Sequence, residues 1–394
     1  MRRPSGRDAR NLARAVSNNP RIRSAAYQLA LILAVIWVGS QFAVNAAQNL
    51  AERRSGFGFL FNTAGFGIDF TLIPYSETDT YGRVFLVGLL NTVLVSAIGI
   101  VFATLIGFLI GIGRLSSNWL IARLAGGYVE LIRNLPLLFQ ILFWYLAVLG
   151  TLPGPRQSLS VLGIAFMNNR GFWVPALHPG ERFRYVWVAL LLGVAATAAL
   201  GLWARRVRER TGRQNPVFWP GLALILALPL ATFLAAGMPM EVDLPHLAGF
   251  NFVGGSRIIP EFVALLVALS IYTASFIAEV VRAGILAVPR GQSEAGLALG
   301  LNERQVLRLI VLPQALRIIV PPLTNQYLNL TKNSSLAVAI GYPDLFAVFA
   351  GTTLNQTGQA IEIIAITMGV YLSLSLATSL AMNWYNSRVQ LADR

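Results

Sequence analysis

The sequence contains no cysteine. Disulfides, thiol catalysis and cysteine metal sites are therefore excluded, although no redox compartment follows from this. Histidine is almost as scarce. His178 and His246 lie far apart in polar connections, which argues against a histidine-based metal or catalytic site. Lysine occurs once, at Lys332, and is preceded by Leu330 and Thr331 rather than by a glycine loop. The phosphate-cradling pattern G-x-x-x-x-G-K-[ST] is thus missing, as are H-E-x-x-H and G-x-S-x-G. The chain is not expected to be an enzyme, to hydrolyse ATP, or to bind a cofactor of its own. Charge is sparse too, at 12% of residues, against about 25% in an average soluble domain.

What is present is apolar. Hydrophobic residues make up 55% of the 394, and mean hydropathy is +0.61. A surface this apolar calls for lipid as solvent. Eight long apolar runs are visible: Tyr27–Ala47, Val84–Ile112, Gly127–Leu149, Tyr185–Trp203, Val217–Ala236, Phe262–Val288, Ile318–Ile340 and Ile361–Trp384. Each is near the ~20 residues that a spanning helix needs. Lipid offers no partner for open backbone groups, and the runs lack the alternation of a barrel strand. The expected fold is an all-α integral membrane protein of about eight transmembrane helices.

The net charge of +14 invites a nucleic-acid reading, which the distribution of arginines rejects. They cluster in short loops between apolar runs. With the N-terminus inside and strict alternation, twenty Lys and Arg fall inside and eight outside. That bias places both termini in the cytoplasm. Residues 1–26 form a basic tail, and 27–47 an uncleaved first span, longer than a signal-peptide core. Residues 48–83 and 150–184 are expected as outside loops with short amphipathic pieces, and 387–394 as a cytoplasmic end. Gly107 and Gly111 have GxxxG spacing, which brings a second helix backbone close.

The polar interruption 288–313 predicts two short helices. Gln292–Leu299 is ended by Gly300, with Glu294 in its first turn, where a carboxylate is favoured. Asn302 and Gln305 have capping-box spacing, and Leu307, Ile310 and Val311 form one apolar stripe. Helix-terminal acid and docking residue both remain open for Glu294 on spacing alone. Charges within spans need partners, and Glu130 with Arg133 and Glu279 with Arg282 stand at i,i+3. Asn91, Thr92, Ser96, Lys332 and Ser335 are candidates for lining a path.

Glu294-Ala295-Gly296-x-x-x-Gly300 and Ile310-x-Leu312-Pro313 resemble the E-A-A-x(3)-G-x(9)-I-x-L-P motif of type I ABC importer permeases. Gly296 replaces the second alanine. The flanks resemble the polar amino-acid permeases of that superfamily: Ala278–Ile285, Val288–Gln292 with Gly291, Leu312–Arg317, Pro321-Pro322-Leu323-x-Asn325, Gly88–Thr92 and Glu130–Asn134 before Pro136. Lys332-Asn333-Ser334-Ser335-Leu336 departs from the family's K-D-T-S-L. The permease domain is expected over 84–386, with a coupling loop at 288–313 and an inserted hairpin at 185–237, a layout similar to general L-amino-acid permeases.

The resemblance implies a permease subunit in the bacterial inner membrane that translocates L-amino acids. It implies a second permease, a paralogue forming a heterodimer, two ATPase subunits carrying ATP and magnesium, and a periplasmic binding protein. Glu294 and its loop would couple ATPase closure to the spans, and no nucleic acid is implied. An ion-coupled secondary transporter is the rival reading. It would show internal repeats with broken helices, and a proton-gradient collapse would stop it directly.

Overall fold

The computed structural model describes residues 29–30, 33–34, 36–41, 56–212 and 216–389. The basic tail at 1–26 lies outside the described residues, as does most of the first apolar run, 27–47. Beyond them, α1 (Tyr81–Gly113), α4 (Arg184–Thr211), α5 (Phe218–Ala235), α6 (Pro260–Leu286), α9 (Leu312–Asn333) and α10 (Ala360–Val389) are the long helices. Among the described residues six helices are long and apolar enough to cross a membrane, or seven if one bent pair counts as a span.

That bent pair corrects the expectation for Gly127–Leu149. The run is not one straight helix. It divides into α2 (Trp119–Asn134) and α3 (Leu137–Leu149), which meet at 106°. The cause is Pro136. Its ring denies the preceding residue the helical region, so Leu135 is extended at φ −96, ψ 131. Gln140 repairs the break: its amide nitrogen, Nε2, donates to the carbonyls of Ile132 and Leu135, each at 3.0 Å.

The centre of the fold is the parallel pair α1 and α6. Lipid tails are as apolar as leucine, so this packing needs close fit rather than water exclusion. Small residues supply it. Gly99, Ala103, Gly107 and Gly111 recur every fourth position on α1 and are wholly or partly buried. A β-carbon on Gly107 would stand 2.6 Å from Ile277 Cβ, and one on Gly111 would stand 2.8 Å from the Ala278 carbonyl oxygen. The GxxxG spacing therefore does bring two backbones together. α9 runs back along α6, where Gly284 meets Ile319.

The connections hold structure that the loops at 150–184 and 237–259 did not advertise. Eight short strands occur among the described residues: β1 (Leu159–Val161), β2 (Ala165–Asn168), β3 (Gly171–Val174), β4 (Ala176–Pro179), β5 (Met240–Asp243), β6 (His246–Ala248), β7 (Asn251–Val253) and β8 (Ser256–Ile258). They form an antiparallel sheet in the order β1-β2-β3-β8 and two ribbons, β4-β5 and β6-β7. All lie at the end where α1 and α6 begin, here the strand end. The opposite end carries the loop 288–313, here the loop end. β4–β5 pairing closes the base of the α4–α5 hairpin, and Gly180 N donates to the Pro239 carbonyl at 3.1 Å. Within the hairpin Gly193 and Gly221 face the opposite helix, and Thr197 Oγ1 donates to the Gly221 carbonyl at 3.1 Å.

Candidate coupling loop and translocation path

The loop at the loop end is a helix–turn–helix. α7 (Arg290–Ala298) follows Pro289, and its other end is stopped at Gly300, whose φ of 83 is left-handed. Gly300 N donates to the Leu297 carbonyl at 2.9 Å and Leu301 N to the Gly296 carbonyl at 3.2 Å. That crossed pair is a Schellman stop. A side chain at position 300 would be strained there. The next helix, α8 (Glu303–Val306), is opened by a reciprocal cap. Gln305 N donates to Asn302 Oδ1 at 2.9 Å, and Asn302 N donates to Gln305 Oε1 at 3.0 Å. A wider helical turn, Leu307–Val311, then leads into α9.

Two sequence expectations change here. α7 starts at Arg290, two residues earlier than expected, so Glu294 sits beyond its first turn. The helix-terminal field falls off within one turn and does not account for the carboxylate. The inward stripe of the second helix is Val306, Ile310 and Val311, while Leu307 is 52% exposed. The widened turn after Val306 rotates Leu307 out.

Gly296 is buried between the two short helices. A β-carbon there would lie 2.6 Å from Ile310 Cδ1 and 3.0 Å from Val306 Cγ2. Glycine in place of the motif's alanine thus lets the second helix sit tighter, and Ile310 fills the space. What remains outside is Glu294, Ala295, Leu297 and Leu299, all exposed. Among the described residues Glu294 has no ion pair. Leu312 and Pro313, also exposed, begin α9, and Gly291 faces open space.

The candidate path residues separate into two groups. Asn91 and Thr92 are wholly buried; the Asn91 amide nitrogen and the Thr92 hydroxyl bond to the subunit's own backbone, while Asn91 Oδ1 has no partner among the described residues. Asn91 Nδ2 donates to the carbonyls of Phe70 at 2.9 Å and Pro343 at 2.8 Å. Thr92 Oγ1 accepts from Leu345 N at 3.0 Å and donates to the Gly88 carbonyl at 2.9 Å. Tyr342 Oη donates to the Asn91 carbonyl at 3.0 Å. These two residues fasten α1 to the turn 341–345. Ser96 is 6% exposed and its hydroxyl has no partner among the described residues.

Lys332 differs. Leu330, two residues before it, packs against Gly99, near the middle of α1. Lys332 therefore lies at mid-helix depth, yet it is exposed on the chain's surface, next to the half-buried Ser335. Ser335 Oγ donates to the Lys332 carbonyl at 2.8 Å.

The charges near the loop end also regroup. Glu279 is bonded by Arg282 Nη2 at 2.6 Å and by Arg114, which arrives from the end of α1. Glu130 and Arg133, expected as a pair, do not form one among the described residues. Arg133 instead lies over the Phe276 ring, 4.9 Å from its centroid, a cation–π contact. Both line an open cavity of about 440 Å³ with Arg114, Asn134 and Glu279. The bend at Leu135 carries the end of α2 across α6, and Phe276 is what Arg133 meets there.

Sequence reasoning missed Asp344. It is wholly buried, and its Oδ1 accepts from Ala347 N at 2.8 Å while Oδ2 accepts from Tyr371 Oη at 3.3 Å. The signal was a lone acid in the otherwise uncharged stretch 333–361.

Comparison with known proteins supports one family. Residues 103–391 match the model for the binding-protein-dependent transport system inner membrane component. The general L-amino acid transport system permease protein AapQ of Rhizobium johnstonii is 51% identical over 97% of this chain and 96% of its own. YhdX of Escherichia coli, by name an amino-acid ABC transporter permease protein, is 51% identical over 95% of this chain and 96% of its own. The glutamate/glutamine/aspartate/asparagine transport system permease protein BztB of Rhodobacter capsulatus is 41% identical over 95% of each. The chain belongs to the family of binding-protein-dependent transport system inner membrane components, as a multi-pass ABC transporter permease subunit.

Proposed function

We propose that this chain translocates L-amino acids across the bacterial inner membrane as one permease subunit of an ATP-driven importer. The energy enters at the loop 288–313 from a separate ATPase, and substrate arrives from a periplasmic binding protein. A second permease, a paralogue, completes the path. The observation that carries this reading is the exposed surface of α7. Glu294, Ala295, Leu297 and Leu299 are presented on a helix that is fixed at both ends and buried at Gly296. A stiff, apolar-edged element with one exposed carboxylate suits a docking partner. The names of the relatives support the substrate class.

Lys332 and Ser335 are the path residues of this reading. A lysine at mid-depth in lipid costs several kcal/mol unless it faces water or a partner. Facing the seam with the second permease satisfies that requirement.

The test is Glu294→Arg in cells carrying the complete importer. Uptake of labelled amino acids should fall to background while the permease reaches the membrane in normal amount. Normal uptake by the variant would refute the coupling role. A proton-gradient collapse at constant ATP should leave wild-type uptake in place.

A further inference from the structure

The α4–α5 hairpin is the least connected part of the fold. Its two helices pack on each other, and its base is held by β4–β5. Leu191, Leu192, Leu226 and Leu230 are more than half exposed on its outer faces. Aromatic residues mark both ends of the apolar stretch. Tyr185 and Trp187 stand at the strand end, and Trp203, Phe218 and Trp219 at the other, each at least half exposed. Sixteen residues separate Trp187 from Trp203, or about 24 Å at ~1.5 Å per residue. Such aromatic belts sit at headgroup level.

α4 then continues past its belt. Arg205 lies about 32 Å along the helix from Arg184, just beyond a hydrocarbon core of about 30 Å. Arg205, Arg206, Arg208 and Arg210 follow, all exposed and none in an ion pair among the described residues; the exposed Glu209 stands in the same arc, so the cluster keeps a clear positive excess. At ~100° per residue they spread over an arc of about 200°. The side they leave free is the one that Gly193, Thr197 and the buried Ala204 turn toward α5. A single docked protein would engage one face. Guanidiniums spread over more than half of the helix circumference fit a plane of anions around the helix better than one docked face.

We propose that this end of α4 is a binding site for anionic phospholipid headgroups, which anchor the hairpin. Arginine suits the role, since its planar fork binds phosphate bidentately. The inference rests on the membrane-spanning fold and not on the substrate proposed above.

The complete importer, purified into nanodiscs of phosphatidylcholine with or without one quarter phosphatidylglycerol, provides the test. Phosphatidylglycerol should raise the melting temperature of the wild type and be retained on gentle delipidation, as read by native mass spectrometry. The variant R205Q/R206Q/R208Q/R210Q should lose both effects, with anionic-lipid affinity down on the order of a thousandfold. The matching four-lysine variant should keep most of the preference, and R182Q/R184Q at the other end should keep all of it. If the quadruple variant fails to insert, R206Q and R210Q singly should each weaken retention roughly fivefold. Salt at 1 M, where screening acts within about 3 Å, should abolish the preference. Equal retention by the arginine-free variants would overturn the proposal. So would a preference that disappears when only the ATPase subunits are removed.

Discussion

Replacing Gly107 with alanine adds one methyl group to one of the tight contacts between α1 and α6. Its β-carbon would stand 2.6 Å from both Ile277 Cβ and Cγ2, and 3.0 Å from the Ala274 carbonyl oxygen. Carbon atoms rest at about 3.5–4.0 Å, so α1 and α6 must separate by about 1 Å. Ile277 Cβ sits next to the backbone and has no rotamer that clears the clash. Overpacking of this kind costs about 1–3 kcal/mol, and here it opens a seam whose stability rests on close fit rather than on expelled water. Gly126 on α2 is the control, since nothing lies within 4 Å of its β-carbon position. Gly126→Ala should gain up to about 1 kcal/mol from helix propensity. The same chemical change is thus expected to have opposite signs at two positions. Thermal unfolding of the purified importer, followed by tryptophan fluorescence, measures both. Equal melting temperatures for the two variants would refute the seam argument.

Gly300→Ala forces a left-handed backbone at φ 83 onto a residue that pays about 1–2 kcal/mol for it. The Schellman stop should loosen, and amide exchange should quicken across 296–302 with a partial loss of uptake. Asp344→Ala strips the buried acceptor from Ala347 N and Tyr371 Oη. A loss of about 1–3 kcal/mol per orphaned donor is expected, read as a lower melting temperature, while Asp344→Asn, which keeps an acceptor, should lose less. No difference between the two variants would show that the junction does not depend on this acceptor.

The helices were legible because an apolar run of spanning length has one stable solution in lipid. The helix–turn–helix at 288–313 was legible for a different reason. Glycine at 300 and the Asn302–Gln305 spacing are local signals, each acting within a few residues. Pro136 was equally visible, yet its effect depends on whether the chain bends or kinks, and the apolar content of 127–149 masked the break. Contacts across long separations left no trace. Arg114 reaches Glu279 from 165 positions away, whereas the i,i+3 rule offered the nearer Glu130–Arg133 pair, which did not form. The strands escaped because each has only three or four residues, too short for alternation to register. For Asn91 and Thr92, polarity alone left both lining a path and packing hydrogen bonds open. Their fully buried setting depends on the turn 341–345 folding back over α1.

The pairing of β4 with β5 puts the two mouths of the α4–α5 segment side by side. Gly180 and Pro239 are joined by one hydrogen bond, so everything between them is a parenthesis in the chain. The path of the main chain through the core therefore enters and leaves the hairpin at one place.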